Sequence, residues 1–99
     1  MRLSAEQAGI IRHTVEEYFH DPVTVKLFGS RLNDEARGGD IDLLVETSST
    51  VERLAFTAAD LAARLQRRLG GRRVDVVLVT PSTPEQPIHR IAREQGIGL

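Results

Sequence analysis

LFGSRLNDEARGGDIDLLVE, residues 27 to 46, joins two apolar runs through a short polar connection. Gly29 and Ser30 close the first run, and Asp40 and Asp42 open the second. Aspartate is uncommon inside strands, so two of them at the start of an apolar strand need an explanation. A short connection between two strands favours antiparallel pairing. The stretch therefore predicts that the end of one strand lies beside the acidic start of the next.

Three strands are predicted in the chain, the first from its β-branched residues and the other two from continuous apolar runs. They are VTVKLFG at 23–29, DIDLLVE at 40–46 and RRVDVVLVT at 72–80. Because a helical segment separates the second strand from the third, these two are expected to pair in parallel through a right-handed crossover. That geometry brings Asp75, near the start of the third strand, to the same edge of the sheet as Asp40 and Asp42.

Two helices are predicted on either side of the first strand pair, from apolar residues that recur at helical spacing. The first begins with Ser4 and Gln7, which have the spacing of a capping box. Ser49 and Glu52 have the same spacing, and they are assigned to the start of the second helix.

A last helix follows PSTPE at residues 81–85, with Thr83 as its expected cap. Its apolar residues Ile88, Ile91 and Ala92 are expected to face inward. The predicted fold is thus α/β, in the order α-β-(turn)-β-α-β-α, with a small mixed three-stranded core sheet. A chain of 99 residues is expected to form one domain, residues 1–99.

The composition excludes several classes of function. The formal net charge of −1 argues against general nucleic-acid binding by bulk electrostatics. There is no cysteine, so disulfides and thiolate metal sites are excluded. No apolar run approaches the ~20 residues of a membrane span, and the first residues do not resemble a signal peptide. A cytoplasmic protein without membrane attachment is expected.

The aspartates predict a metal site. Asp40 and Asp42 are separated by one residue, so their side chains point to one face of the strand and repel each other. Hard divalent cations with oxygen ligands relieve such repulsion. With Asp75 as a third carboxylate, the edge can hold two Mg²⁺ ions, which together stabilise an in-line phosphoryl transfer.

The residues around Gly29 predict a phosphate site at the same edge. Glycine allows a phosphate to approach the backbone closely, and the Ser30 hydroxyl can donate to a phosphate oxygen. Arg31 can neutralise further charge, although a surface ion pair with Asp34 or Glu35 is an equal alternative. Asp75 also has an alternative, a structural ion pair with Arg72 or Arg73.

The pattern FGS, nine residues, DID, and then VDVV after a helix resembles the nucleotidyltransferase superfamily typified by DNA polymerase β. It is most similar to the minimal nucleotidyltransferases, which are stand-alone domains. The resemblance implies Mg²⁺-dependent transfer of a nucleoside monophosphate, with AMP expected, from ATP or another nucleoside triphosphate to an acceptor hydroxyl. It assigns the triphosphate to Gly29 and Ser30, next to which Arg31 is a further expected phosphate contact.

The same resemblance implies the metal ligands and the partner. Asp40, Asp42 and Asp75 are expected to be metal ligands and catalytic residues. Many small members of the family act as antitoxins to a helical HEPN-type toxin, and some attach AMP to a tyrosine of that toxin. A different class of function follows as the alternative, an antitoxin that acts mainly by binding its toxin, with weak or no catalysis.

Overall fold

The computed structural model describes residues 3–29 and 41–99. Within these ranges the chain forms three helices and four strands. In chain order these are α1 Ala5–Tyr18, β1 Val23–Phe28, β2 Ile41–Thr47, α2 Leu54–Arg68, β3 Val74–Val79, α3 Pro87–Gln95 and β4 Ile97–Gly98. The predicted order of three helices and three main strands is confirmed, and β4 adds a short fourth strand that no sequence pattern predicted.

The four strands form one mixed sheet in the order β3-β2-β1-β4. β1 and β2 pair antiparallel, and β2 and β3 pair in parallel, as predicted. β4 pairs antiparallel with the outer side of β1. Gly96 makes this return possible, because a Cβ there would overlap the Ala92 carbonyl oxygen and come 3.0 Å from the Cβ of Lys26.

The larger part of the core lies between the sheet and the helices α1 and α2. Its buried members come from β1, β2 and β3 on one side and from both helices on the other. They are Ile11, Val15, Phe19, Val25, Leu27, Ile41, Leu43, Val45, Leu61, Leu65, Leu69, Val74 and Leu78. α1 begins with the predicted capping box, in which Ser4 Oγ accepts from the Gln7 N–H and Gln7 Oε1 accepts from the Ser4 N–H.

α3 covers the opposite face of the sheet. Its fully buried Ala92 packs with Phe28 of β1 and Leu44 of β2. Polar contacts hold the helix in place at its last turn. Lys26 Nζ donates to the Arg93 carbonyl oxygen at 3.0 Å, and Arg93 Nη2 forms an ion pair with Glu46 at 3.0 Å.

Arg93 also pairs with Glu85, which precedes α3, at 2.6 Å. The hydrogen bonds that Arg93 donates to Glu46 and Glu85 raise its pKa above the usual range. The same guanidinium lowers the pKa of Glu85, chiefly through its hydrogen bond. The arginine therefore ties the segment before α3 and the strand β2 to the last turn of the helix.

The prediction for the start of α2 was wrong. The helix begins at Leu54 with Arg53 as N-cap and no side-chain cap. Ser49 donates instead to Asp21 Oδ2 at 2.8 Å, at the start of β1. A serine with an acceptor on a neighbouring segment is no longer available to cap a helix, and sequence spacing alone cannot reveal that partner.

The start and inner face of α3 also differ from the prediction. The helix begins at Pro87, and Thr83 Oγ1 accepts from the Thr80 N–H at 2.9 Å instead of capping it. Ile88 and Ile91 are 41% and 47% exposed. Ala92 alone of the three predicted residues faces inward, because its small side chain lets the helix lie close to the sheet.

This packing predicts the response to two substitutions in α3. Ala92→Leu should destabilise the fold by about 1–3 kcal/mol, since added methyl groups overpack the contact with Phe28 and Leu44. Ile91→Ala should change stability by less than about 1 kcal/mol, because Ile91 is largely in solvent. Urea unfolding followed by circular dichroism measures both. A larger loss for Ile91→Ala would show that the helix packs through the face predicted from the sequence.

Candidate functional site

β2 and β3 place two of the predicted carboxylates side by side. Asp42 is in register with Phe28 of β1 on one side and with Asp75 of β3 on the other. Paired residues of neighbouring strands are about 4.8 Å apart at the backbone and point to the same face. Phe28 and Leu44 identify this face as the one that α3 covers. Asp42 is partly buried and Asp75 is exposed.

Gly29 lies directly against Asp42. It adopts the left-handed φ of +79°, a conformation that L side chains rarely take. A Cβ on Gly29 would overlap Asp42 Oδ2 and come 3.1 Å from Asp42 Cγ. The glycine therefore leaves room for the carboxylate of the neighbouring strand. The sequence pattern assigned Gly29 to phosphate contact only, and the strand register was needed to find this second requirement.

Three of the six predicted site residues, Ser30, Arg31 and Asp40, lie outside the described residues. The other three, Gly29, Asp42 and Asp75, are brought together at one end of the sheet. This is the end at which the strand order predicted that they would meet. The roles of these residues in binding and catalysis stay predictions.

The donor atoms at this end suit a hard divalent cation, since carboxylate oxygens are the ligands that Mg²⁺ prefers. Among the described residues, 3–29 and 41–99, no group of three or more His, Cys, Asp or Glu side chains is close enough to hold a metal ion. Asp42 and Asp75 are two carboxylates on adjacent strands, and the third predicted ligand, Asp40, precedes the described part of β2 by one residue. The described residues thus include two of the three predicted metal ligands.

The alternative role of Asp75 finds no support in the described ranges, where Asp75 forms no ion pair with Arg72 or Arg73. The Arg73 backbone has a different function, because its carbonyl oxygen accepts from the Ile41 N–H at 2.9 Å and extends the ladder between β2 and β3. Asp75 therefore presents its carboxylate next to Asp42 without a neutralising partner among these residues.

A charged group that no sequence pattern predicted lies on the same face of the sheet. Lys26 and Glu46 alternate with the buried residues of β1 and β2, so they point toward α3 and bond to Arg93. The alternation in the strands was a usable signal. The contact of Lys26 and Glu46 with α3 was missed because the inner face of α3 was assigned from Ile88 and Ile91.

Residues 10–97 match the family described as polymerase beta, nucleotidyltransferase. The chain belongs to this nucleotidyltransferase family. The match includes all three strands that form the candidate site. It confirms the resemblance drawn from the spacing of the glycine-serine pair and the aspartates. No curated protein sequence matches the chain significantly.

Solved structures share the nucleotidyltransferase fold of this chain. One chain of a toxin–antitoxin structure with AMP-PNP is 23% identical in sequence to this chain. Its TM-score is 0.70, and the match covers 92% of this chain and 70% of the other. A tri-AMPylated HEPN toxin in complex with an MNT antitoxin, from Shewanella oneidensis, is 22% identical, with a TM-score of 0.67 over 94% of this chain and 68% of the other. The predicted α/β fold is confirmed by these likenesses.

The contact between Gly29 and Asp42 predicts a coupling between the two positions. Gly29→Ala should cost about 1–2 kcal/mol of stability for the left-handed backbone, plus about 1–3 kcal/mol for the overlap with the carboxylate. Gly71→Ala is the matched control, since Gly71 has a φ of +86°, but among the described residues no atom beyond its chain neighbours lies within 4 Å of the position that a Cβ would take there. Chemical denaturation of both variants gives the two costs.

A double-mutant cycle identifies the source of the difference. In an Asp42→Ala background the overlap with the carboxylate is gone and only the contact with the Cβ of residue 42, at 3.3 Å, remains. Most of the excess cost of Gly29→Ala over Gly71→Ala should therefore disappear. Equal costs in the native background, or an excess that survives in full without Asp42, would show that the two residues do not share this space.

Proposed function

We propose that this domain is a Mg²⁺-dependent nucleotidyltransferase that moves a nucleoside monophosphate, preferably AMP, from a nucleoside triphosphate to an acceptor hydroxyl. The observation that carries the proposal is the register of Asp42 with Asp75, with Gly29 packed against Asp42, in a chain of the nucleotidyltransferase family. Both carboxylates face the same side of the sheet, where a triphosphate and an acceptor can reach them.

Asp40, Asp42 and Asp75 would hold the divalent cations of the reaction, two ions in the full arrangement. Mg²⁺ in such a site supplies charge neutralisation for the attacking and leaving oxygens of an in-line transfer. Asp42 has a central place in this arrangement, because its strand lies between β1 and β3. The turn of Gly29, Ser30 and Arg31 would hold the triphosphate through backbone amides, a hydroxyl and a guanidinium.

The reaction forms one bond and breaks one. The acceptor oxygen attacks the α-phosphorus, the bond from that phosphorus to the bridging oxygen breaks, and pyrophosphate leaves with the bonding electron pair. Asp75 takes the proton of the acceptor hydroxyl as general base. Its exposure suits this role, since the acceptor has to approach from solvent.

A protein is the acceptor that we propose, in the form of a tyrosine on a HEPN-type toxin. The support is that one solved structure of similar fold contains a tri-AMPylated HEPN toxin with an MNT antitoxin. The whole reaction would take place in a single domain, residues 1–99, in the cytoplasm. Among the described helices, none is long and apolar enough to cross a membrane.

An antitoxin that neutralises its toxin mainly by binding is the second candidate. The observation in its favour is that solved structures of similar fold are toxin–antitoxin complexes. In this case the carboxylate pair would have little or no part in protection.

Asp75→Asn tests the catalytic role. Nucleotide affinity should stay within a few fold, because Asp42 remains, whereas transfer of label from α-labelled ATP should fall by about 10²-fold or more with the loss of a metal ligand and base. Single-turnover transfer and nucleotide titration measure these two quantities. Asp21→Asn, at the opposite end of β1, is the matched control and should transfer at the native rate.

An unchanged rate in Asp75→Asn would remove this residue from the site. If Asp75 has only a structural role, the substitution should cost at most about 1 kcal/mol of stability and leave transfer intact.

Asp42→Asn separates the two candidate functions. The variant should still form a complex with a HEPN-type toxin, the partner proposed here, because one carboxylate is exchanged for an amide of equal size. Co-expression with that toxin then measures protection of cell growth. Lost protection with an intact complex means that catalysis is needed, whereas retained protection means that binding suffices and contradicts the enzymatic proposal.

A further inference from the structure

The outer edge of β3 is the longest unpaired strand edge in the described part of the chain. β3 ends the sheet order, and no strand of the described residues lies on its outer side. The Arg73 carbonyl points toward β2, where it accepts from the Ile41 N–H. Backbone groups alternate in direction along a strand, so Asp75, Val77 and Val79 also bond toward β2. The remaining residues of β3, which are Val74, Val76 and Leu78, direct their N–H and C=O groups outward.

Side chains occupy the outward N–H groups at both ends of this edge. Gln66 Oε1 of α2 accepts from the Val74 N–H at 3.1 Å, and Thr83 Oγ1 accepts from the Thr80 N–H at 2.9 Å. Between them, the N–H and C=O groups of Val76 and Leu78 bond to no other group of the described residues. Such an edge is a template for another strand, and β3 contains none of the lysine or proline residues that block strand addition.

α2 leaves space beside this edge. A groove of about 400 Å³ runs between the outer side of β3 and a face of the helix that consists of alanines. The groove is lined by Ala55, Ala58, Ala59, Ala62, Ala63 and Gln66 of the helix, with Val74, Asp75 and Val76 of the strand. Small side chains let a second helix approach this face closely, at the shorter end of the 8–10 Å range between packed helices.

We propose that a second copy of this chain adds its own β3 to this edge, in a two-fold symmetric dimer with one continuous eight-stranded sheet. The outward N–H and C=O groups of Val76 and Leu78 determine the register. With the axis at Val77, Val76 lies opposite Leu78 of the second copy. Their four N–H and four C=O groups then make four hydrogen bonds, and the two strands diverge beyond these residues, where Gln66 and Thr83 hold the Val74 and Thr80 N–H groups.

The same register keeps like charges apart. Asp75 lies opposite Val79 of the second copy, so the two Asp75 residues are four positions, or about 13 Å, apart along the strands. A register centred on Val76 would bring them to about 7 Å and would need the Val74 N–H that Gln66 already holds. The two-fold at Val77 is therefore the favoured arrangement.

The position of α2 is consistent with a two-fold axis at Val77. Gln66 of α2 lies beside Val74, and Val77 is about 10 Å further along β3, or about six to seven residues back along the helix. The axis thus passes close to Ala59, and the two α2 helices run antiparallel with their alanine faces together. This arrangement also brings Glu52 near one end of the helix close to Arg67 at the other end in the second copy. Neither residue has an ion-pair partner in the described ranges, so this charge match favours a second copy over another occupant.

The dimer does not depend on the proposed transfer reaction. The paired α2 helices lie on one face of the sheet, and Asp42 and Asp75 lie on the opposite face with α3. A closed two-fold interface also uses both open edges, which prevents further strand addition.

Sedimentation equilibrium over a concentration series tests the proposal with the full chain. The native protein should be a monomer–dimer system. Ala59→Arg puts two guanidinium groups next to the axis and should raise the dissociation constant at least about tenfold. Ala5→Arg is the matched control, since it is the same change at an exposed position of α1, and should dimerise like the native protein.

A second variant tests the strand contact itself. Val76→Pro removes an outward N–H without removing a bond to β2 and should also weaken the dimer. Hydrogen exchange on the native protein gives an independent measurement, because the Val76 and Leu78 amides should become protected as the dimer fraction rises. A monomer at all concentrations, or a dimer that forms equally well in Ala59→Arg with these two amides unprotected, would overturn the proposal.

Discussion

The apolar run Leu43, Leu44 and Val45 of β2 has to be covered on both faces of the sheet, because the three side chains expose 1% or less of their surface. Residues at adjacent positions of a strand point to opposite faces, so one layer of helices cannot cover all three. α1 and α2 cover Leu43 and Val45, and α3 covers Leu44. The two helical layers, and the position of β2 between β1 and β3, follow from this single requirement.

The central position of β2 also determines where the polar residues lie. Once β1 runs antiparallel to β2 and β3 runs parallel to it, the end of β1 meets the starts of both other strands. On the face that α3 covers, Leu44 is buried and Asp42 is only partly buried, whereas Ile41 on the opposite face still belongs to the core. The carboxylates thus lie at the end of the sheet where the core beneath α3 stops.

Strand identity and pairing could be predicted from the sequence because they depend on local composition and on the lengths of connections. The capping box of Ser4 and Gln7 is local as well, and it was correct. The face of α3 could not be predicted in this way. Counting apolar residues favoured Ile88 and Ile91, whereas the helix packs through small Ala92 and is held by Arg93. β4 has only two residues, and no sequence pattern of that length identifies a strand.

The same distinction between local and distant determinants applies to the site. The register that joins Asp42 with Asp75 follows from strand order, and it could be anticipated. The contact between Gly29 and Asp42 joins neighbouring strands and depends on a backbone angle, so composition cannot reveal it. In evolution, this contact means that substitutions at positions 29 and 42 are not independent of each other. A lineage in which position 42 became small would also be released from glycine at position 29, and a side chain gained there would then prevent the carboxylate from returning. Loss of the acid would be a one-way step.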